Sequence, residues 1–335
     1  MKTIQYILAI FILASMTGVT ACGQVDAKRT VKIATNIPNT NSAQEWPPAG
    51  MIAFSKTKGG NGDDLYLIHS DGTGLMLLAN GPDPWNEHPS WSPDGSRIAY
   101  HAGDSAYRTD NVWTIKPDGS GQMQLMHIPK GSRWPAWSPD GTRIVFATYI
   151  PDSSPIKIQG TFKIQLINAD GSNMRTLTDG MTTDIFPSWA PDGSILFIRK
   201  GHGQSALHGD VYAMKPDGSG ITQLTTSGHV GGYALSPDGT KLAFYDTVKH
   251  QYIVTPIKAG RASLTLVDMV DYYNGFAGCT WMALAWSPDG QALALACSDI
   301  YAHNGSSLYI VKADGSRLTK IPNTEGAFDP AWQPE

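Results

Sequence analysis

Acidic, basic and aromatic residues recur at one position of this chain, just before each of several similar stretches that contain a Ser-Pro-Asp-Gly-type turn. Side chains of these types bind polar ligands through charge, hydrogen bonds and ring stacking. We interpret them as a ligand-binding group suited to a peptide segment, a sugar or a polar small molecule, with no catalytic residue among them. The candidates are Glu87, His88, Arg133, Trp134, Asp184, His229, Trp281 and Asp329. The structural alternative is that they are solvated loop residues, with the two tryptophans packed in the core.

Other chemistries have weaker support in this sequence. Further histidines fall in predicted loops, and none forms a tight pair on a strand at metal-ligand spacing; they are His101, His202, His208, His250 and His303. The stretch Gly203–Leu207 departs from a G-x-S-x-G nucleophile elbow at its last position. We therefore predict no metal site, no cofactor and no serine-hydrolase chemistry.

The elements that position the candidate residues are repeats. The stretch from Trp134 to Phe146, WPAWSPDGTRIVF, has counterparts whose marker residues are 46 to 52 positions apart. In its turn, Pro presets φ, Asp suits the next position, and Gly takes the left-handed conformation that closes a hairpin. The markers are Trp91, Trp137, Trp189, Leu235, Trp286 and Trp332. We assign the turn aspartates to structure: Asp94, Asp140, Asp192, Asp238 and Asp289.

A second Asp-Gly turn follows in five of the six units, so each of these units predicts a four-stranded antiparallel sheet. The residue before each marker is small, and strand alternation places it and the marker on opposite faces. Such a sheet stacks its bulky face on the shallow face of the next, and repeated stacking of twisted sheets closes a ring. The sequence thus predicts an all-β, six-bladed β-propeller.

Prolines mark the innermost strand of each blade and the closure of the ring. Pro cannot donate a ladder hydrogen bond and is confined to edge strands; it stands two residues before the marker at Pro89, Pro135, Pro187 and Pro330. Residues 50–54 resemble a second strand without its first, and residues 329–332 a first strand without its second. We predict that these terminal strands share one blade.

Residues 51–335 resemble the TolB-like, PD40-type relatives of WD40 propellers, whose pattern is PxWSPDGxxIAF followed by LYxMxPDGSxxxxLT. The resemblance implies the β-propeller fold. The additional N-terminal α/β domain of TolB itself has no counterpart in residues 23–50, which are too few to form it.

In such blades the Asp-Gly turns fall at one end, the turn end, and the longer, more varied loops fall at the other, the long-loop end. Function tends to lie on loops held by a rigid scaffold. We predict that the candidate residues ring the mouth of a central funnel there, in a non-catalytic binding or scaffolding module for a protein or peptide segment. The alternative is a lyase-type or glycosidase-type propeller enzyme that acts on a glycan in the funnel.

The N-terminal segment predicts export. Residues 1–21 carry Lys2 and a short apolar run typical of a signal peptide, and they end before Cys22 in a sequence that resembles a bacterial lipobox. The resemblance implies a lipoprotein anchored through Cys22, and Gly23 favours the outer membrane if the organism is Gram-negative. An ordinary signal peptide is the alternative. We predict a tether over 22–48 and the propeller over 49–335.

Two cysteines remain after Cys22. Cys279 and Cys297 lie nearly opposite each other across one predicted hairpin. An exported protein can form disulfides, so we predict a disulfide between them; two buried thiols are the alternative.

Composition excludes one class of partner. The formal net charge is −4 and the pI is near 6.1. Nucleic-acid binding requires clustered Lys and Arg and usually a basic pI. We therefore predict no nucleic-acid partner, an envelope protein or peptide as partner, and membrane attachment through the lipid anchor alone.

Overall fold

The computed structural model describes residues 46–58, 62–80, 85–103, 110–128, 131–151, 160–200, 209–257, 264–268, 283–298 and 306–335. They belong to one compact unit, Gln44–Glu335. All regular secondary structure in these ranges is β-strand, which confirms the predicted all-β class. In the described part of the chain, no helix is long and apolar enough to cross a membrane.

Short strands follow one another along the chain, as the closely spaced turns require. The first eight are β1 (Met51–Thr57), β2 (Asp63–His69), β3 (Met76–Ala79), β4 (Trp85–Trp91), β5 (Ile98–Gly103), β6 (Asn111–Ile115), β7 (Met123–Gln124) and β8 (Ser132–Trp137). The next eight are β9 (Arg143–Ile150), β10 (Thr161–Asn168), β11 (Arg175–Thr176), β12 (Thr183–Trp189), β13 (Ile195–Lys200), β14 (Asp210–Met214), β15 (Thr222–Gln223) and β16 (Val230–Leu235). The last are β17 (Lys241–Asp246), β18 (Gln251–Pro256), β19 (Leu264–Asp268), β20 (Leu284–Trp286), β21 (Ala292–Ser298), β22 (Ser306–Lys312), β23 (Thr319–Lys320) and β24 (Ala327–Trp332).

The strands form four-stranded antiparallel units. Four separate sheets contain β8–β11, β12–β15, β16–β19 and β20–β23. A larger sheet joins β4–β7 to a unit made of β24, β1, β2 and β3, and the parallel connection between them is the single pair Asp63–Trp85. The predicted pairing of the terminal strands is present, because β24 lies antiparallel to β1. Pro135, Pro187 and Pro330 lie in β8, β12 and β24, each at the edge of its sheet as predicted. The strand that contains Pro89, β4, is not at an edge, because the pair Asp63–Trp85 joins it to β2.

Marker tryptophans attach consecutive units to one another. The indole N–H of Trp91 donates to the carbonyl of Ala331 at 3.1 Å, and the indole of Trp189 donates to Ala136 at 3.1 Å. Trp286 repeats the contact with Ala234 at 3.1 Å. Each acceptor is the small residue that precedes a marker in the neighbouring unit. The predicted fit of a bulky face on a shallow face is therefore confirmed at these three interfaces.

Apolar clusters lie between the units. Ile98 and Tyr100 pack with Leu65 and Leu67, which joins the β4–β7 unit to the unit of β1 and β2. Equivalent clusters join β4–β7 to β8–β11, β8–β11 to β12–β15, β12–β15 to β16–β19, β16–β19 to β20–β23, and β20–β23 to β1 and β24. At about 25 cal/mol per Å² of apolar surface buried, these clusters are the main stabilising term of the domain.

The Ser-Pro-Asp-Gly turns have the predicted chemistry. Gly141 has φ of 68°, in the left-handed region, and its turn closes β8 onto β9. The Asp140 carboxylate accepts the backbone N–H of Thr142 at 3.0 Å and the Ser138 hydroxyl at 2.5 Å. These bonds lower the pKa of Asp140 to about 2. The carboxylate therefore serves the turn, as predicted, and belongs to no acidic site.

The last residues of the predicted tether, 46–48, contact the sheets, so the folded unit begins earlier than the predicted residue 49. The Trp46 indole donates to the Thr319 hydroxyl at 3.2 Å, and the Lys312 ammonium lies 5.7 Å from the Trp46 ring centroid. The Pro48 carbonyl accepts the Ser70 hydroxyl at 2.6 Å. Residues 46–48 are therefore packed against the sheets, because Trp46 finds both an apolar surface and a hydrogen-bond acceptor there.

Deleting residues 328–335 should destabilise the whole domain, because it leaves β1 without β24 and removes the buried Phe328 and Trp332. Large-to-small changes at such aromatic sites cost about 3–5 kcal/mol each. We expect the midpoint of thermal unfolding, measured by circular dichroism, to fall by more than about 10 °C. Removing only Pro334 and Glu335, which lie beyond β24, is the control. An unchanged midpoint in the longer deletion would contradict the structural role of β24.

Candidate functional site

Four strands of neighbouring units carry the same backbone irregularity. In each, the residue before the proline has φ between 51° and 56°; the four are His88, Trp134, Phe186 and Asp329. The strand pairing shifts register at the same places, so each strand contains a β-bulge. A left-handed conformation costs a non-glycine residue ~1–2 kcal/mol, and the following proline restricts the backbone further. Strain of this kind clusters at functional sites.

The bulges bring these four side chains together. The His88 ring centroid lies 6.0 Å from that of Trp134 and 5.8 Å from that of Phe186. The Trp134 and Phe186 centroids are 4.6 Å apart. His88 Nδ1 is 3.1 Å from Asp329 Oδ2. Bulges re-aim side chains, and here they direct residues of four different strands to one place.

Two further residues complete a group that we name the central cluster: Glu87, His88, His101, Trp134, Phe186 and Asp329. Glu87 Oε2 lies 3.4 Å from His101 Nε2 and 3.6 Å from His88 Nδ1. The two imidazole rings stack with centroids 5.1 Å apart. Donor atoms of Glu87, His88 and His101 all lie within 4.8 Å of one another, so these residues are placed to hold a metal ion.

Burial controls the electrostatics of the cluster. Glu87, His101 and Asp329 are buried, and Asp63 at the start of β2 is buried beside them. Burial, followed by the neighbouring Glu87 carboxyl, raises the pKa of Asp63 to about 7. Burial also raises the pKa of Glu87, and it raises that of Asp329 well above the usual value, with repulsion from Glu87 and Asp63 adding to it.

The pKa values of the two imidazoles are lowered, whereas those of the carboxyls are raised. Burial lowers the pKa of His101 to about 3. It lowers the pKa of His88 well below the usual value, and the neighbouring His101 adds to the effect. Both rings are therefore neutral at neutral pH, the form in which imidazole binds metals. A neutral imidazole cannot offset the charge of an ionised carboxylate.

Two ion pairs involve other candidate residues. Arg133 pairs with the buried Asp110 through its Nε. Arg199 holds the buried Asp184 with two hydrogen bonds, Nε to Oδ1 at 2.8 Å and a terminal nitrogen to Oδ2 at 2.9 Å. The guanidinium of Arg199 also lies against the rings of Phe197 and Tyr212. This geometry gives Asp184 a structural partner on its own sheet.

The predicted placement of the candidates in loops is wrong for most of those described. Glu87, His88, Arg133, Trp134, Asp184 and Asp329 lie within β4, β8, β12 and β24. The bulges explain the difference, because strand pairing resumes on the far side of each one. His229 precedes β16 and is exposed, and its carbonyl accepts the backbone N–H of Thr247 at 2.9 Å.

His101 also lies in a strand and not in a predicted loop. β5 continues to Gly103 because Glu87 pairs with His101 beyond the bulge. The premise that no histidine pair stands on strands is therefore wrong, since His88 and His101 lie on adjacent strands. His250 lies between β17 and β18, where its Nδ1 is 3.1 Å from the Tyr245 hydroxyl.

Phe186 and Asp63 belong to the site but are missing from the sequence candidates. Phe186 occupies the same pre-proline repeat position as His88, so aligning the repeats would find it. Asp63 has no such signal. Several predicted residues lie outside the described ranges: Cys22, Trp281, Cys279, His202, His208 and His303. Cys297 is buried in β21, and its disulfide with Cys279 stays a prediction.

Comparison with known proteins identifies the family. Residues 119–334 match the PD40 family model, described as the TolB β-propeller domain. A TolB homologue of Chlorobium luteolum is 34% identical over 130 residues, which are 38% of this chain and 27% of the homologue. An uncharacterised protein of Agrobacterium fabrum, Atu1656, is 30% identical over 133 residues, which are 39% of this chain and 44% of that protein. The matches therefore span less than half of either relative.

Among solved structures, TolB of Acinetobacter baumannii superposes with a TM-score of 0.68 at 20% identity, and the match covers 85% of this chain and 67% of that one. At this identity the match shows the fold, a β-propeller, and nothing about activity. The predicted resemblance to TolB-like propellers is confirmed.

Breaking the ion pair of Asp184 tests its structural role. Arg199→Met keeps the stem that packs on the rings but leaves a buried carboxylate unpaired, which costs about 3 kcal/mol or more. The double variant Asp184→Asn/Arg199→Met should recover more than half of this loss in urea unfolding. Lys249→Met is the control: the Lys249 ammonium is exposed and 3.7 Å from the buried Asp246, whose carboxylate keeps the backbone N–H groups of Val248 and Lys249 as donors, so we expect a loss of less than about 1 kcal/mol. Equal losses in the single and double variants would refute the pairing.

Proposed function

The chain belongs to the PD40 family of TolB β-propeller domains, and from this premise we propose that it is a six-bladed propeller that acts as a binding module for a protein or peptide segment. The binding surface is the long-loop end. The propeller has no catalytic role in this proposal. It holds the loops in place and contributes a rigid platform.

The six-bladed ring is supported by the contacts between units. Six apolar clusters each join two consecutive four-stranded units, and one of them joins the last unit to β1 and β24. Inner strands also contact one another in sequence: β24 with β4, β4 with β8, β8 with β12, β16 with β20 and β20 with β24. In this arrangement β24, β1, β2 and β3 form the blade that closes the ring.

The observation that carries the binding proposal is the exposure of two apolar side chains at the long-loop end. Met181, between β11 and β12, is 71% exposed, and Val248, between β17 and β18, is 57% exposed. Of the large apolar residues in the described ranges these two are the most exposed. His229 adjoins Val248, since Thr247 donates to the His229 carbonyl. Contiguous exposed apolar patches mark protein-binding surfaces, and we propose that Met181, Val248 and His229 belong to such a patch at the long-loop end.

We assign the central cluster a structural role in the interior of the propeller. Glu87, His101 and Asp329 are buried and out of reach of a macromolecule, whereas His88, Trp134 and Phe186 are partly accessible. We assign the contact with a partner to loop residues and His229, and we assign Glu87, Arg133, Asp184 and Asp329 to the support of that surface.

Attachment to the cell envelope is part of the proposal. The lipobox-like sequence before Cys22 supports cleavage after residue 21 and acylation of Cys22. A tether then leads to Trp46, where packing against the sheets begins. Acyl chains would hold the propeller near a membrane without a spanning helix. The site of attachment would be the outer membrane if the organism is Gram-negative.

A second function is favoured by one observation. Glu87 Oε2 lies within 3.6 Å of two imidazoles, and carboxylates beside imidazoles are common in general acid–base catalysis. The alternative is therefore a lyase-type or glycosidase-type enzyme that acts on a glycan reaching the central cluster. The burial of Glu87 weighs against it, because a glycan needs an open path to the reacting carboxyl.

A photo-reactive residue placed at position 181 should cross-link a protein partner in intact cells, and one at position 174 should not. Met174 is the matched control: it is an exposed methionine at the turn end of the same unit. With the captured partner purified, Met181→Arg should weaken binding by about 10-fold or more, a typical loss at an interface anchor. Met174→Arg should leave binding unchanged.

Cross-linking at position 174 but not at 181 would place the surface at the turn end and contradict the proposal. Absence of a partner at both positions, together with glycan turnover that Glu87→Gln abolishes, would favour the enzyme.

Replacing Cys22 with Ser should release the protein from membranes, because no acyl chain can then be attached. We expect the wild type in the membrane fraction, labelled by radioactive palmitate, and Cys22→Ser in the soluble fraction without label. Gly23→Ala is the control and should remain labelled and membrane-bound. Continued membrane fractionation of Cys22→Ser would contradict lipid anchoring.

A further inference from the structure

We propose that the central cluster binds one divalent transition-metal ion, with Glu87, His88, His101 and Asp329 as its ligands. The ion would join β4, β5 and β24. This inference is independent of the proposed binding function, since it concerns the interior of the propeller and holds whichever partner the long-loop end recognises.

The distances between donor atoms fit a four-coordinate ion. Zn²⁺ binds imidazole nitrogen and carboxylate oxygen at about 2.0–2.2 Å, so two ligands of a tetrahedral site lie about 3.4 Å apart. The measured separations are 3.1 Å for His88 Nδ1 and Asp329 Oδ2, 3.4 Å for His101 Nε2 and Glu87 Oε2, and 3.6 Å for His88 Nδ1 and Glu87 Oε2. Glu87, His88 and His101 have donor atoms within 4.8 Å of one another, and Asp329 adjoins this group through its contact with His88.

These contacts are not hydrogen bonds that satisfy the groups. Among the described residues, His88 Nδ1 and Asp329 Oδ2 are buried atoms without a hydrogen-bond partner, although they face each other. A buried polar atom without a partner costs about 1–3 kcal/mol. A metal ion would give His88 and Asp329 their missing partner at once.

Charge leads to the same conclusion. Asp63, Glu87 and Asp329 are three buried carboxyls in one region. The guanidinium of Arg133 is ion-paired with Asp110. Buried carboxyls that ionise need a pairing cation or a metal ion. A divalent cation would compensate the ligand carboxylates, with Asp63 contributing from outside the ligand set.

The donor set selects the class of metal. Two imidazole nitrogens and two carboxylate oxygens suit Zn²⁺, Mn²⁺, Fe²⁺ or Co²⁺. Ca²⁺ takes six to eight oxygen ligands, and Mg²⁺ takes an octahedral oxygen set, so neither fits. The His88 side chain is 20% exposed, and its Nδ1 is buried on the side of the cluster.

The backbone of the ligands supports a metal-binding role. His88 and Asp329 both have left-handed φ values, 55° and 51°. Without these bulges the ordinary strand alternation would send their side chains elsewhere. The left-handed conformation places His88 Nδ1 and Asp329 Oδ2 face to face, and the same conformation at Trp134 and Phe186 directs their rings to the same place.

Metal binding is tested on the full chain after removal of metals with a chelator. Isothermal titration with Zn²⁺ should give one ion per chain, and the thermal midpoint should rise with Zn²⁺ concentration, as for any ligand of the native state. The Co²⁺-loaded protein should show the absorption of a four-coordinate ion. Ca²⁺ should produce neither effect. No Zn²⁺ binding by the wild type, or equal binding of Ca²⁺, would overturn the proposal.

Variants locate the ion. Glu87→Gln keeps the shape of the side chain and should weaken Zn²⁺ binding by about 10-fold or more, and His88→Gln/His101→Gln should abolish it, with folding checked by circular dichroism. His250→Gln is the control, because His250 lies outside the cluster. Unchanged affinity in a folded Glu87→Gln, or loss of binding in His250→Gln, would place the ion elsewhere and overturn this site.

Discussion

The arrangement of the sheets depends on hydrogen bonds from tryptophan indoles to backbone carbonyls of the neighbouring unit. A buried indole N–H usually has an acceptor, and the backbone carbonyl of a small residue in the neighbouring unit supplies one for three marker tryptophans. Among the described residues, the indole nitrogens of Trp137 and Trp332 have no hydrogen-bond partner. Trp91, Trp189 and Trp286 all use this contact. Because the acceptor is a backbone atom at one repeat position, the contact fixes how far and at which rotation one sheet lies on the next. The inner strands are brought together as a consequence.

The prolines of the inner strands have two effects that reinforce each other. Pro cannot donate to a β-ladder, so one ladder bond is lost wherever it stands. The bulge leaves the same stretch unpaired, and the residue before Pro turns its side chain away from the sheet. Strand irregularity is thus confined to a place where regular pairing is already impossible, and the fold gains a set of inward-directed side chains at its centre.

The repeating features were predictable and the convergent ones were not. The residues that form a turn are adjacent in the sequence, and the alternation of small and large residues is visible in each repeat. The hairpins, most edge strands and the pairing of β24 with β1 can therefore be predicted from the sequence. His101 differs, because its repeat position holds Ala147 in β9 and Ile198 in β13. A residue that occurs once leaves no pattern. His101 contacts Glu87 because the pairing of β4 with β5 continues past the bulge. No feature of the nearby sequence predicts that continuation.

The residue before the proline is polar in two of the inner strands and aromatic in the other two, so the centre has two different sides. Asp329 and His88 form a polar side, and Trp134 and Phe186 form an aromatic side against it. Rings that exclude water lower the local dielectric, so any charge interaction beside them is stronger, and any uncompensated charge is more costly. Each buried acid or imidazole here is destabilising when taken alone. Five groups share that cost: Glu87, His88, His101, Asp329 and Asp63. A partner that touches several of them offsets more of it than the single hydrogen bond between Asp63 and Glu87.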